Sequence, residues 1–289
     1  MSGGGWREGE LATIRRAYAQ EILSSVGVEF PELEEAYATV KREHYLGPGP
    51  WKILGGTRYQ APDDDPAALY EDVLVALIPE RGLNNGQPSG HAIWLSAAHP
   101  KPGDHAVHVG AGVGYYTAIL AHIVGPHGRV TAIEHEPELA ARATVNLAHL
   151  PTVEVLQGNG ATIAFDPADV IYVNAGATRP MDAWLDRLKE GGRLVMPLTT
   201  NSTFDALAPG AARGAMFCIK RRGSEFLAEF VSAAAFIPGE GMRDPESEAA
   251  LAAGFAKGGA EKVTRLYRTG DLPDEQCWVR APGWALAYH

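Results

Sequence analysis

Two cysteines, Cys218 and Cys277, are all that 289 residues carry. A pair cannot build a disulfide framework or a cysteine metal cluster, so a reducing compartment is the default. No apolar run reaches the length of a membrane span. The start, Met-Ser-Gly-Gly-Gly-Trp, has neither a basic stretch nor an apolar one. It does not read as a secretory signal, and a cytoplasmic location is expected. Positive charge is also scarce: 25 Lys and Arg stand against 35 Asp and Glu, a formal net charge of −10. Such a surface repels phosphate backbones, so no nucleic-acid partner is expected. No metal is expected either. Asp63-Asp64-Asp65-Pro66 reads as a solvated turn and helix cap, because no His or Glu is spaced to complete a ligand set. What remains is an ordinary globular composition, 46% hydrophobic and 21% charged.

The most informative stretch runs from His105 to Glu134. A short apolar strand, His105 to Val109, enters the turn Gly110-Ala111-Gly112-Val113-Gly114. An amphipathic helix follows from Tyr115 to Val124, and a second strand, Arg129 to Ile133, ends at Glu134. An acid about twenty residues beyond such glycines is placed to reach a ribose. A pyrophosphate site would carry its third glycine one residue later than Gly114, where Tyr115 is found. Bare backbone at 110 and 112 lets a ligand approach closely, and the free N–H groups of a helix start suit a carboxylate. A ligand with a ribose and an amino-acid carboxylate fits, which is S-adenosylmethionine (SAM). The turn resembles motif I of the class I SAM-dependent methyltransferases.

The rest of the chain alternates. Helices are predicted over Glu10 to Ser25 and Pro31 to Lys41, then an ordered loop over 42 to 53. Val73 to Ile78 is a strand or a short buried helix. Asn84-Asn85-Gly86 marks a turn, and Pro88-Ser89 opens a helix. After Glu134 come a helix (Pro137 to Leu147), a strand (Val153 to Gln157), a strand (Val170 to Asn174), a helix (Met181 to Leu188) and a strand (Arg193 to Pro197). Strands alternating with helices imply a mostly parallel sheet covered on both faces. Ala215 to Lys220 and Phe226 to Ala234 are joined by too short a link for a crossover, so they form an antiparallel hairpin. The expected fold is α/β: a Rossmann-like class I methyltransferase sheet, mostly parallel with a C-terminal antiparallel hairpin. N-terminal helices and a packed loop (1–68) precede the SAM-binding core (69–238), and a small C-terminal extension (239–289) follows. A helix is expected there over Glu246 to Ala256, with short segments near Val263 to Leu266 and Trp284 to Ala287.

In an open parallel sheet, ligands bind beyond the carboxyl ends of the strands. The first end carries Gly110, Ala111, Gly112 and Gly114, and the second carries Glu134. The third carries Asn159-Gly160, whose amide suits an adenine edge, and the fourth carries Asn174-Ala175-Gly176. Alone, Asn159 or Asn174 is an ordinary turn residue; their placement at successive ends is the signal.

Residues 42 to 238 resemble the protein-L-isoaspartate O-methyltransferase family. The resemblance rests on GAGVGYYTAILAHIVG, QGNG, DVIYVNAGA with Pro180 after it, LKEGGRLVMPL, and NNGQPSGHA with Pro88. It implies that the loop before the first strand covers SAM and shapes an acceptor pocket. Carried over by position, Asn84, Asn85 and His91 lie beside the cofactor. The pocket is formed by Asn85, Gly86, Gln87 and Ser89, facing Thr178. Two departures stand out. Gly86 replaces the family's serine, and Asn159-Gly160 replaces its Asp-Gly. Loss of the hydroxyl implies a wider pocket and weak turnover of isoaspartyl peptides, which Gly86→Ser is expected to raise.

A carboxylate nucleophile is already ionised at pH 7 and needs no base, so proximity and alignment carry the reaction. No catalytic acid or base is therefore assigned. His91 or His44 would serve a phenol or amine acceptor, and Arg58, Arg81 and Arg179 are candidates to hold an anionic one. The reading is an O-methyltransferase acting on a carboxylate of a protein, peptide or small molecule. An RNA methyltransferase and a non-catalytic SAM-binding module are the alternatives.

Overall fold

A computed structural model describes residues 7–55, 58–59, 61–200 and 214–289; residues 1–5, read as a flexible arm, lie outside them. The chain starts with α1 (Glu8–Ser25), where Glu10 accepts from the Arg7 backbone N–H at 3.0 Å and so caps the first turn. Then come α2 (Pro31–Thr39), with proline at its first position, and a single turn, α3 (Glu43–Leu46), inside the loop expected to be irregular. Short strands β1 (Ile53–Gly55), β2 (Arg58–Tyr59), β3 (Leu74–Ile78) and β4 (Leu83–Asn84) form a four-stranded sheet ordered β2-β1-β3-β4. The apolar run at 73–78 is therefore a strand. It pairs antiparallel with β1 and β4, which keeps it from continuing as a helix.

The central body runs α4 (Pro88–Ala98), β5 (His105–Val109), α5 (Tyr115–Val124), β6 (Arg129–Glu134), α6 (Pro137–Leu147), β7 (Val153–Gln157), β8 (Ala168–Val173), α7 (Asp182–Arg187) and β9 (Leu188–Thr199). The hairpin β10 (Gly214–Arg222) and β11 (Glu225–Ala233) follows. The chain ends with α8 (Pro245–Lys257), β12 (Arg265–Tyr267), β13 (Cys277–Ala281) and β14 (Trp284–Ala287).

One ten-stranded sheet has the order β13-β14-β12-β11-β10-β9-β8-β5-β6-β7. The five strands from β7 to β9 pair in parallel, and β10 and β11 add antiparallel, as the short link required. β5 is buried along its whole length, with Ala106 in the core under α4 and α5, and Val107 and Val109 in the core under α7 and α8. That two-sided burial explains its near-continuous apolar sequence.

Two expectations change. The helix expected to end at Leu188 and the strand expected from Arg193 are not separated by a turn, because β9 already begins at Leu188, five residues before Arg193. The C-terminal extension also continues the sheet, through β12 on β11, then β14 and β13.

Candidate cofactor and acceptor site

Three features converge on a cavity of about 430 Å³ at the carboxyl ends of the parallel strands. The first is the turn after β5. Gly110 N–H donates to Ile133 O at 2.8 Å, which binds the turn to β6. Gly110 has φ +78°, and a Cβ there would lie 3.0 Å from Asn174 O. Gly112 has φ +58°, and its N–H donates to Glu134 Oε2 at 2.6 Å. Both positions therefore need glycine for conformation, and the first also for space.

Glu134 is the second feature. Its other oxygen accepts from Glu136 N at 2.9 Å. Burial raises its pKa, and these backbone donors pull it back down. The carboxylate thus stands directly behind the turn.

The third feature is the loop from β4 into α4. Asn85 Oδ1 accepts from Val75 N and from Arg42 Nη2, each at 3.1 Å. Arg42 is fully buried and also donates to Leu69 O at 2.6 Å and Val73 O at 2.7 Å. It therefore ties the segment before β3 to the loop before α4. Asp72 takes Gln87 Nε2 at 2.6 Å, Ser89 N at 2.8 Å and Ser89 Oγ at 2.7 Å. It caps α4 from a distance.

The cavity wall contains Asn84, Asn85, Gly86, Gln87, Ser89, His91, Gly110, Ala111, Gly112 and Asn174, so ten of the expected site residues come together. The polar heads of Gln87 and Ser89 are already held by Asp72. Leu74, Leu77, Ile93, Trp94, Phe236 and Ile237 supply apolar wall, and among the described residues none that lines the cavity is charged.

Five expected residues are placed elsewhere. Gly114 packs under α6, where a Cβ would lie 2.7 Å from Leu147 Cδ1. Glu134 reaches the cavity only through Gly112. Asn159 turns its carbonyl oxygen onto Ala161 N at 2.9 Å, and its amide lies against Gly241. Gly160 is wedged between Val109 and Met242, with its carbonyl accepting from Trp184 Nε1 at 2.8 Å. Thr178, expected in the acceptor pocket, is fully buried. Its N–H donates to Met242 O at 3.1 Å, and its hydroxyl accepts from Asp244 N at 2.8 Å. The physical reason is the same for Asn159, Gly160 and Thr178: residues 236–244 cross these strand ends and fill the space.

The expected widening beside Gly86 is not found. A Cβ at Gly86, φ +76°, would overlap His91 Nε2. The His91 imidazole stacks on Tyr116 with centroids 3.4 Å apart and planes within 3°. Burial, His108 and Arg42 hold its pKa well below the usual histidine range, so it is neutral.

Among the arginine candidates, Arg81 pairs with Glu136, and Arg179 pairs with Asp182 at 3.0 Å; neither lines the cavity. The side chain of Arg58 lies outside the described residues. His44 lies in a separate hollow with Tyr45, His122 and His149. Among the described residues no acidic, His or Cys cluster is placed to hold a metal, and no helix is long and apolar enough to cross a membrane.

The cavity fits a small polar cofactor on a specific test. Asn174 Oδ1 and Asn85 Nδ2 are buried without hydrogen-bond partners among the described residues, and both side chains line it. A buried unpaired amide atom is costly and calls for a ligand partner.

Comparison with known proteins agrees. The model of the protein-L-isoaspartate(D-aspartate) O-methyltransferase family matches residues 64–226. A protein-L-isoaspartate O-methyltransferase from Ignicoccus hospitalis is 31% identical over 198 residues, covering 67% of this chain and 85% of that protein. Protein-L-isoaspartate O-methyltransferase 1 from Arabidopsis thaliana is 40% identical over 123 residues, 38% of this chain and 54% of that protein. A solved protein-L-isoaspartate O-methyltransferase superposes with a TM-score of 0.62 at 24% identity, over 78% of this chain and 65% of that one. A Plasmodium falciparum beta-aspartate methyltransferase in complex with S-adenosyl-L-homocysteine gives 0.60 at 17% identity, over 78% of this chain and 97% of that one. The last two establish the shared fold, and the family model and the Ignicoccus relative establish more: this chain belongs to the protein-L-isoaspartate(D-aspartate) O-methyltransferase family of SAM-dependent methyltransferases.

Proposed function

We propose that this chain methylates a free carboxylate in a protein or peptide, the carboxylate exposed at an isoaspartyl linkage. The observation that carries this reading is the cavity wall. Among the described residues it offers amide, imidazole and backbone groups but no charged side chain, so an already ionised nucleophile is received without a competing acid or base. SAM, when bound, supplies an electrophilic methyl group on a cationic sulfonium, and a carboxylate oxygen takes such a group without prior proton removal.

The residues have separate tasks in this reading. Gly110, Ala111 and Gly112 let the cofactor lie on bare backbone, and Glu134 offers oxygen acceptors to its ribose. Asn174 Oδ1 and Asn85 Nδ2, both unpaired, supply one acceptor and one donor inside the cavity. Arg42 acts through Asn85, fixing which amide atom faces inward. The apolar patch from Leu74, Leu77 and Phe236 excludes water around the reacting groups.

The test is methyl transfer from labelled SAM to an isoaspartyl peptide, its aspartyl isomer, small dicarboxylic acids and a tRNA pool. The expected product is a base-labile methyl ester formed on the isoaspartyl peptide alone. Label in tRNA, or ester on the small acids at equal efficiency, overturns the reading.

A further inference from the structure

Gly86 and His91 are a matched pair. The imidazole occupies the volume that a side chain at position 86 would need. The ring is held on three sides. Tyr116 stacks on its face, Trp94 packs at 5.2 Å between centroids, and Nδ1 lies 2.8 Å from the Tyr172 hydroxyl. Both Gly86 and His91 line the cavity.

The direction of the hydrogen bonds can be followed from β5. Asn174 donates its amide to His108 Nε2 at 2.6 Å, so the His108 proton sits on Nδ1 and goes to Thr117 Oγ1 at 2.8 Å. Among the described residues the buried Tyr172 hydroxyl has one hydrogen-bond partner, His91 Nδ1, so its O–H donates to that nitrogen; the opposite direction would leave a buried O–H unpaired. An imidazole that accepts at Nδ1 carries its proton on Nε2 when neutral. Among the described residues that Nε2–H has no hydrogen-bond acceptor.

We infer that His91 Nε2–H is the donor that receives one oxygen of the acceptor carboxylate, in place of any side chain at position 86. This rests on the acceptor reading above and names the residue that enforces it. A donor at that point favours a carboxylate oxygen and disfavours a protonated amine. The same arrangement excludes the other use of a histidine. Nδ1 is already taken by Tyr172 and Nε2 is protonated, so no lone pair faces the cavity to act as a base. The groups packed around the ring are Tyr116 from α5, Trp94 from its own helix and Tyr172 from β8; His108 from β5 and the Arg42 guanidinium act on it electrostatically. They keep the ring neutral across the working range of pH.

Two measurements test this. The first is ¹⁵N NMR of the histidine rings in the full chain with S-adenosylhomocysteine, with His91→Gln used to assign the signal. A protonated Nε2 and an unprotonated Nδ1 are expected, and the opposite tautomer overturns the donor role whatever the activity. The second is kinetics on the isoaspartyl peptide. His91→Gln, which keeps an N–H donor, is expected to retain kcat/KM within about fivefold. His91→Leu is expected to lose about tenfold to a hundredfold, mainly in KM, the scale of one hydrogen bond to a charged group. Gly86→Ser is expected to lower turnover, because its side chain displaces the ring. Equal kcat/KM for His91→Leu and wild type overturns the inference. So does a wild-type pH profile with a histidine-like ionisation that His91→Gln removes. Wild type that methylates no carboxylate overturns the acceptor reading itself, an outcome separate from the wrong tautomer.

Discussion

The turn after β5 and the segment after β11 both meet the carboxyl edge of the same sheet, and they leave it in opposite states. At the turn, Gly110 lets bare backbone lie close to Asn174 O, no side chain from 110 or 112 enters the space beside it, and a cavity remains. At the other end, residues 236–244 are bonded down across the edge. Gly176 N–H donates to Ile237 O at 2.8 Å, Gly239 N–H to Gly176 O at 2.9 Å, and Thr178 N–H to Met242 O at 3.1 Å. Met242 is buried there against Gly160. The difference teaches that strand ends are equivalent in sequence but not in the fold. Only the ends left uncovered by the chain itself are available to a ligand.

The sharpest way to break the open side is Gly112→Val. A β-branched residue at φ +58° is strained, and its side chain enters either Leu77 or the cavity. S-adenosylhomocysteine binding, read by calorimetry, is expected to fall below detection while circular dichroism stays unchanged. Normal binding by the variant would mean that the turn does not touch the cofactor.

The closed side is tested by Met242→Ala. Removing a buried methionine costs about 2–5 kcal/mol of stability. Because Met242 does not line the cavity, affinity for S-adenosylhomocysteine is expected to stay within about threefold, the range of small packing adjustments. Chemical denaturation and calorimetry on the same sample decide it. A loss of affinity without a loss of stability would make Met242 part of the ligand site, beside Phe236 and Ile237 that already line it.

Glu134→Ala has a smaller effect. It removes the acceptor of the Gly112 and Glu136 N–H groups together with the expected ribose contact. Cofactor binding is expected to weaken by roughly 1–3 kcal/mol, the cost of leaving polar partners unpaired. Equal affinity for wild type and variant would remove this acid from the site.

The two regions also differ in how far the sequence announced them. The turn and its acid are local: glycines at 110 and 112, an apolar strand before them, and Glu134 at the end of the next strand. Asn174 was legible too, because β8 ends where its apolar run ends. The covering of Asn159, Gly160 and Thr178 was not, since the contact of Thr178 with Met242 spans 64 residues and has no periodic signature. Arg42 and Asp72 were missed for a related reason. A charged residue in a polar stretch reads as solvent-exposed, and only the packed loop shows Arg42 bound by three backbone carbonyls and Asn85. Gly86 was read as a missing hydroxyl, whereas its meaning depends on the ring five residues later.

The smallest effect concerns pH and belongs to the floor of the open side. His108 sits on β5 beneath Asn174, and burial pushes its pKa down to about 3. The unfolded chain protonates a histidine near pH 6.5, while the folded chain resists until about 3. The unfolded state therefore binds the extra proton throughout that window, and stability falls as pH drops from about 6.5 toward 3. One such group contributes a slope of about 1.4 kcal/mol per pH unit. His91, also buried and neutral, adds in the same direction. Glu134 opposes them, because its raised pKa lets the folded chain take up a proton first. His108→Gln keeps a neutral polar group between Thr117 and Asn174 and cannot titrate. It is expected to be less stable than wild type at pH 7, by about 1–2 kcal/mol for imperfect hydrogen bonds, but to lose less on acidification. Urea denaturation at pH 7, 6 and 5 measures both slopes. Parallel curves for wild type and variant would show that His108 is not held neutral under Asn174.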